Sequence, residues 1–194
     1  MQTLTSTDLL PLEHYARERA QIRERMIGYR AARRLEVGPN CTWSFEDRET
    51  VRYQVQEMLR TERIFEVAGI NEELAAYNPL IPSGRNLKAT LLIEYPEALE
   101  RAAKLAQLRG MERRCWLQVA GHERVVAIAD EDMERENEQK TSAVHFLRFE
   151  LSDAMVASLK TDAGLMAGVD HPAYQHAVDP LPADLRAALL ADLD

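Results

Sequence analysis

The segment Leu87 to Tyr95 constrains the fold more than any other part of the chain. Leu87, Ala89, Leu91, Ile93 and Tyr95 alternate with Lys88, Thr90, Leu92 and Glu94. Successive side chains of a strand point to opposite faces, so this run is a strand with one fully apolar face that must be covered. Thr141 to Leu151 repeats the pattern, with Ala143, His145, Leu147, Phe149 and Leu151 on one face. His145 is the polar exception on that face. Helical spacing governs other stretches. Between Val51 and Phe65 the positions Val51, Val55, Met58, Glu62 and Phe65 share one helix side, which places Glu62 in an apolar stripe. A buried carboxylate or imidazole is costly without a partner. Glu62 and His145 are therefore expected to be buried and paired, with each other or with separate partners.

The remaining punctuation fills in an α+β order. Thr7 or Asp8 caps a long N-terminal helix that Pro11 opens and that runs to about Arg34. Its apolar stripe is Leu12, Tyr15, Ile22, Met26 and Tyr29, with Arg19 and Arg33 beside it, and it is expected to pack on a sheet. Two short strands flank Gly38-Pro39-Asn40, and Asp47 caps the Glu62 helix. Gly69 reads as a helix stop, and Asn71 as the cap of a short helix ending at Tyr77. A helix follows Pro96, and a hairpin joins Arg114–Val119 to Arg124–Ala129. Ser152 caps a helix to about Lys160. A strand over 164–169 runs into Asp170-His171-Pro172, and a last helix spans 182–190. These elements predict an antiparallel or mixed sheet with helices mainly on one side. Residues 1–175 form one domain in this reading, and 176–194 a loosely packed helical appendage.

Composition limits the function classes. The net charge of −8 disfavours general nucleic-acid binding. No apolar run approaches the ~20 residues of a membrane span, and the acidic N-terminal stretch does not read as a signal peptide. Cys41 and Cys115 fit no metal spacing and read as reduced thiols of a cytoplasmic protein. Arginines crowd the first helix, while six acids lie between Asp130 and Glu138. These are solvated surfaces, a site for an acidic partner, or two segments that attract each other. No Gly-rich phosphate loop, nucleophile elbow or Glu-x-x-His metal pair is present.

The candidate site is a polar pocket of Glu62, His145, Asp170 and His171, with Arg19 and Arg33 contributing. Strand ends such as Asp170-His171 commonly carry sites. If His145, His171 and Glu62 converge, three N/O ligands suffice for an open zinc or iron site. The alternative gives each residue an ordinary structural partner, an arginine for Glu62 and a backbone carbonyl for His145.

Several long runs resemble a bacterial family known as a domain of unknown function. They are Asp8-Leu-Leu-Pro-Leu-Glu13 with Tyr15, Val37-Gly-Pro-Asn40, Gln56-Glu-Met-Leu-Arg-Thr-Glu-Arg-Ile64 and Ala76-Tyr-Asn-Pro-Leu-Ile-Pro82. Asn86-Leu-Lys-Ala-Thr90, Lys140-Thr-Ser-Ala-Val-His-Phe-Leu-Arg-Phe149 and Gly168-Val-Asp-His-Pro172 with Tyr174 continue the resemblance. The segment after Tyr174 reads as lying outside it. The family carries no mechanism. Its genes often lie near those for rubrerythrin and an iron–sulfur oxidoreductase, which implies by association a redox protein partner and a role near peroxide defence or iron redox chemistry. The expectation is a cytoplasmic accessory or ligand-binding protein, with Fe or Zn as the candidate cofactor. The alternative is an enzyme, metal-dependent in one version, that uses His145 and His171.

Overall fold

The computed structural model describes residues 2–131 and 140–194. Most of the acidic run lies outside these residues. The chain folds as α+β, with a long N-terminal helix and two antiparallel sheets rather than one.

Helix α1 spans Leu12–Ala31. Strands β1 (Arg34–Glu36) and β2 (Cys41–Glu46) form the first hairpin. Helix α2 (Arg48–Glu62) starts at a reciprocal cap: the Asp47 carboxylate accepts the Thr50 N–H at 2.8 Å, and the Asp47 N–H donates to the Thr50 hydroxyl at 2.9 Å. Helix α3 spans Val67–Tyr77, so Gly69 and Asn71 lie inside one helix instead of bounding two. The glycine does packing work there: a Cβ at Gly69 would stand 2.7 Å from the Ile64 side chain. Close approach overrides the ~1 kcal/mol helix cost of glycine.

The first sheet has the order β1-β2-β3-β7-β6, with β3 at Asn86–Ile93, β7 at Val144–Glu150 and β6 at Ile128–Ala129. The second has the order β5-β4-β8-β9, with β4 at Cys115–Val119, β5 at Arg124–Val126, β8 at Leu165–His171 and β9 at Tyr174–Val178. The second arm of the expected 114–129 hairpin is thus split. Its first half pairs with β4, buried Ala127 makes the crossing, and its second half joins the other sheet. A strand that changes sheets by a bend turns a corner between packed sheets.

The apolar faces of both sheets share one core, in which Trp43 stacks on Phe149 at 5.4 Å between ring centroids. Helices α4 (Ala98–Gln107), α5 (Asp153–Lys160) and α6 (Ala183–Leu190) add leucines to it. The C-terminal segment is no loose appendage: Leu181, Leu185, Leu189 and Leu193 are buried in that core, because four leucines at near-helical spacing form a stripe that must be covered. A second cluster, built from Leu4, Val51, Val55, Leu59, Leu74 and Ile81, joins α2 and α3. Helix α1 packs on α2 rather than on a sheet and buries fully only Tyr15 and Met26. Among the described residues, no helix is long and apolar enough to cross a membrane.

Candidate functional site

The residues singled out from sequence do not form one site. Glu62 is exposed, contrary to expectation. Its direction around the helix axis matches Val51 and Val55, but it occupies the final helical position. Arg63 then turns left-handed (φ 55°) and ends the helix. Facing the core is insufficient where the helix has run past it.

His145 is fully buried, as expected, but its partners are neither Glu62 nor His171. Its Nδ1 donates to the Asp130 carboxylate at 2.5 Å, and its Nε2 lies 2.9 Å from the Thr141 hydroxyl and 3.0 Å from the Ser142 carbonyl. The other Asp130 oxygen accepts the Phe146 N–H at 3.0 Å. The ring therefore ties the end of β6 to the residues leading into β7.

His171 sits in the other sheet. Its Nε2 donates to the Arg109 carbonyl at 3.0 Å, and its Nδ1 accepts the Ala173 N–H at 3.2 Å. One N–H and one lone pair are both used, the full complement of a neutral imidazole. Asp170 is exposed, 3.7 Å from Arg124. Among the described residues, no three His, Cys, Asp or Glu side chains are grouped to hold a metal ion. Cys41 and Cys115 are free and buried, and burial pushes both thiols up, Cys41 to about 12.

The two arginines found structural partners. Arg19 grips Glu57 with two 2.8 Å bonds, and the Tyr15 hydroxyl adds a third at 2.6 Å. The Arg19 hydrogen bond leads in holding the Glu57 carboxyl down at about 2. Arg33, 3% exposed, bridges Asp47 at 3.1 Å and Asp192, and donates to the Phe45 carbonyl at 3.1 Å. It locks the end of α1 to β2, the α2 cap and the C-terminal turn.

A cleft of about 300 Å³ lies elsewhere, between the end of α3 and the outer face of the first sheet. Ala76, Tyr77, Pro79 and Leu80 form one wall, and Phe146 lies on the sheet opposite. The lining is mainly apolar. Three charged side chains of adjacent strands, Glu46, Lys88 and Arg148, converge at its floor. Glu46 is buried and accepts from Thr50 at 2.6 Å, Gln54 at 2.8 Å and Thr90 at 2.7 Å. The Lys88 ammonium donates to the carbonyls of Pro79 and Ile81, the latter at 2.9 Å. Burial first, and then the neighbouring Arg148 charge, push the Lys88 pKa below its usual value. Arg148 grips Glu131 through two 2.7 Å bonds and also reaches Glu150. The hydrogen bond from Arg148 leads in lowering the Glu131 pKa.

Sequence reading passed over this cleft. Alternation assigns Lys88 and Arg148 to the outward faces of their strands, where a cation normally meets water. Only the pairing of β3 with β7 sets Lys88 directly opposite Arg148.

Comparison with known proteins places the chain in a family. Residues 3–193 match the model of the family described as protein of unknown function DUF3501. The chain belongs to that family. The match reaches past Tyr174, so the C-terminal segment is part of the family's pattern and not an addition to it. A solved structure from Burkholderia pseudomallei, described as a novel protein of unknown function, is 50% identical over 100% of both chains, with a TM-score of 0.94. No curated protein matches the chain.

Proposed function

We propose that the chain is a ligand-binding protein and that the cleft on the outer face of the first sheet holds the ligand. The observation that carries this reading is the half-buried Lys88 at the floor of a mainly apolar cleft of about 300 Å³. Small-molecule sites have that form: apolar walls, a few convergent polar groups, and titratable groups displaced from their usual behaviour. The volume is at the lower end of the range for such sites.

Binding is favoured over an enzyme built on His145 and His171. Those rings lie in different sheets, and both nitrogens of each are engaged. The family resemblance supports placing the ligand in peroxide or iron redox metabolism, with the protein in an accessory role beside a redox partner.

The test is a ligand-observed NMR screen of small apolar and amphipathic compounds. Each hit is repeated on Ala76→Trp, which fills the cleft from an exposed position on α3. Hits should be lost in the variant. A screen whose hits ignore Ala76→Trp, or that yields no hits, overturns the reading.

A further inference from the structure

We infer that the cleft ligand is an apolar molecule bearing one carboxylate, whose head group is held between Lys88 and Arg148. This inference rests on the binding reading above and adds the chemical class.

The argument starts from the sheet. In the β3–β7 register Lys88 stands directly opposite Arg148, and Lys88 also stands opposite Glu46 on β2. Like charges directly opposite in an antiparallel pair destabilise it. Here Glu131 and Glu150, both paired with Arg148, offset that repulsion, and the two cations lie at the floor of a cleft.

The donor count gives the next step. An ammonium has three N–H bonds and a guanidinium five. Lys88 spends two, on the Pro79 and Ile81 carbonyls. Arg148 spends three, two on Glu131 and one on Glu150. Among the described residues, one N–H of Lys88 and two of Arg148 have no acceptor.

The acceptors tell the opposite story. Both Glu131 oxygens are taken by Arg148, and Glu46 already accepts three hydrogen bonds. The floor therefore offers unspent N–H donors to whatever enters, on two cations whose charge is offset by the surrounding carboxylates of Glu46, Glu131 and Glu150. A carboxylate accepts through two oxygens and matches two cationic neighbours, and charge-assisted bonds of this kind are about twice as strong as neutral ones. The walls set the rest of the molecule. Tyr77, Leu80 and Phe146 offer apolar and aromatic surface with no further charge. Two nearby carboxylates, Glu46 and Glu131, limit the head group to a single negative charge, since a dianion would face both.

The experiment compares three probes of one shape, phenylbutyrate, phenylbutyramide and phenylbutylamine, by calorimetric titration at low salt. The acid should bind about tenfold more tightly than the amide, with the amine weakest. Lys88→Met should weaken acid binding about tenfold while leaving amide binding within about threefold. The order of the three probes on the unmodified protein tests the class even if the variant does not fold. Equal binding of acid and amide, or tightest binding of the amine, overturns the carboxylate assignment. If Ala76→Trp removes that binding, the cleft reading survives the failure. Absence of binding by all three probes, together with a screen that yields no hits lost in Ala76→Trp, overturns both.

Discussion

Asp192 offers the sharpest test of the buried charge cluster. Its carboxyl is buried at 3% exposure and carried from its ordinary 3.8 up to about 6, because burial outweighs the attraction of Arg33. The neighbouring Asp47 charge pushes the same way, and the Tyr29 hydroxyl that donates to Asp47 is itself pushed up to about 12. A carboxyl raised in the folded state binds its proton more tightly there than in the unfolded chain. Its stabilising contribution is complete below pH 3.8 and is lost as pH rises to about 6. That displacement corresponds to about 3 kcal/mol. Asp192→Asn keeps the shape and removes the charge, so it imitates the protonated acid at every pH. Urea denaturation of both proteins, followed by circular dichroism from pH 4 to pH 7, isolates the effect, because other titrating groups cancel in the difference. The stability of the variant relative to the parent should increase by about 2.5 kcal/mol across that range, because part of the contribution is already lost at pH 4. A difference that stays flat with pH would refute the claim that burial raises the Asp192 pKa.

Two further outcomes follow from buried polar contacts. Arg33→Met leaves Asp47 and Asp192 without their shared cation and should cost about 3–5 kcal/mol, read as a fall in the urea midpoint at pH 7; an unchanged midpoint would mean the three charges do not depend on one another. His145→Phe keeps a ring of similar size but removes the ring partner of one Asp130 oxygen and of the Thr141 hydroxyl, for a cost of about 1–3 kcal/mol, and a melting temperature equal to that of the parent would show that the ring acts only as filler.

What could be read from the sequence was whatever depends on local period. The alternation at 87–95 and 143–151 gave β3 and β7, and the same alternation gave the burial of His145. Its partner could not be read. Asp130 reaches the ring only because β6 pairs beside β7, and no local pattern announces that a hairpin arm will leave one sheet for the other. Glu62 failed for a different reason. Helical period fixes an angle about the axis and says nothing about where along the axis the neighbouring element stops. Gly69 failed because a glycine in a helix reads as a stop until the side chain packed against it, here Ile64, is known.

Satisfaction of hydrogen bonds separates the structural polar residues from the candidate site. His145 and His171 each have both ring nitrogens occupied, and Arg33 spends its donors on two carboxylates and on backbone carbonyls. Groups saturated in this way hold the fold together and have nothing left to offer a ligand. Lys88 and Arg148 differ on each point. They are cations placed opposite each other, in a cleft with apolar walls, with N–H bonds to spare. Arg148 is also paired with Glu131 and Glu150, and Lys88 stands opposite Glu46 as well, so nearby carboxylates hold the two cations in place and offset their repulsion. The N–H bonds they leave unspent are the ones an acceptor group on a ligand would use. On that argument the floor of the cleft, and not the buried histidines that first draw the eye in the sequence, is where the function of this chain should be sought.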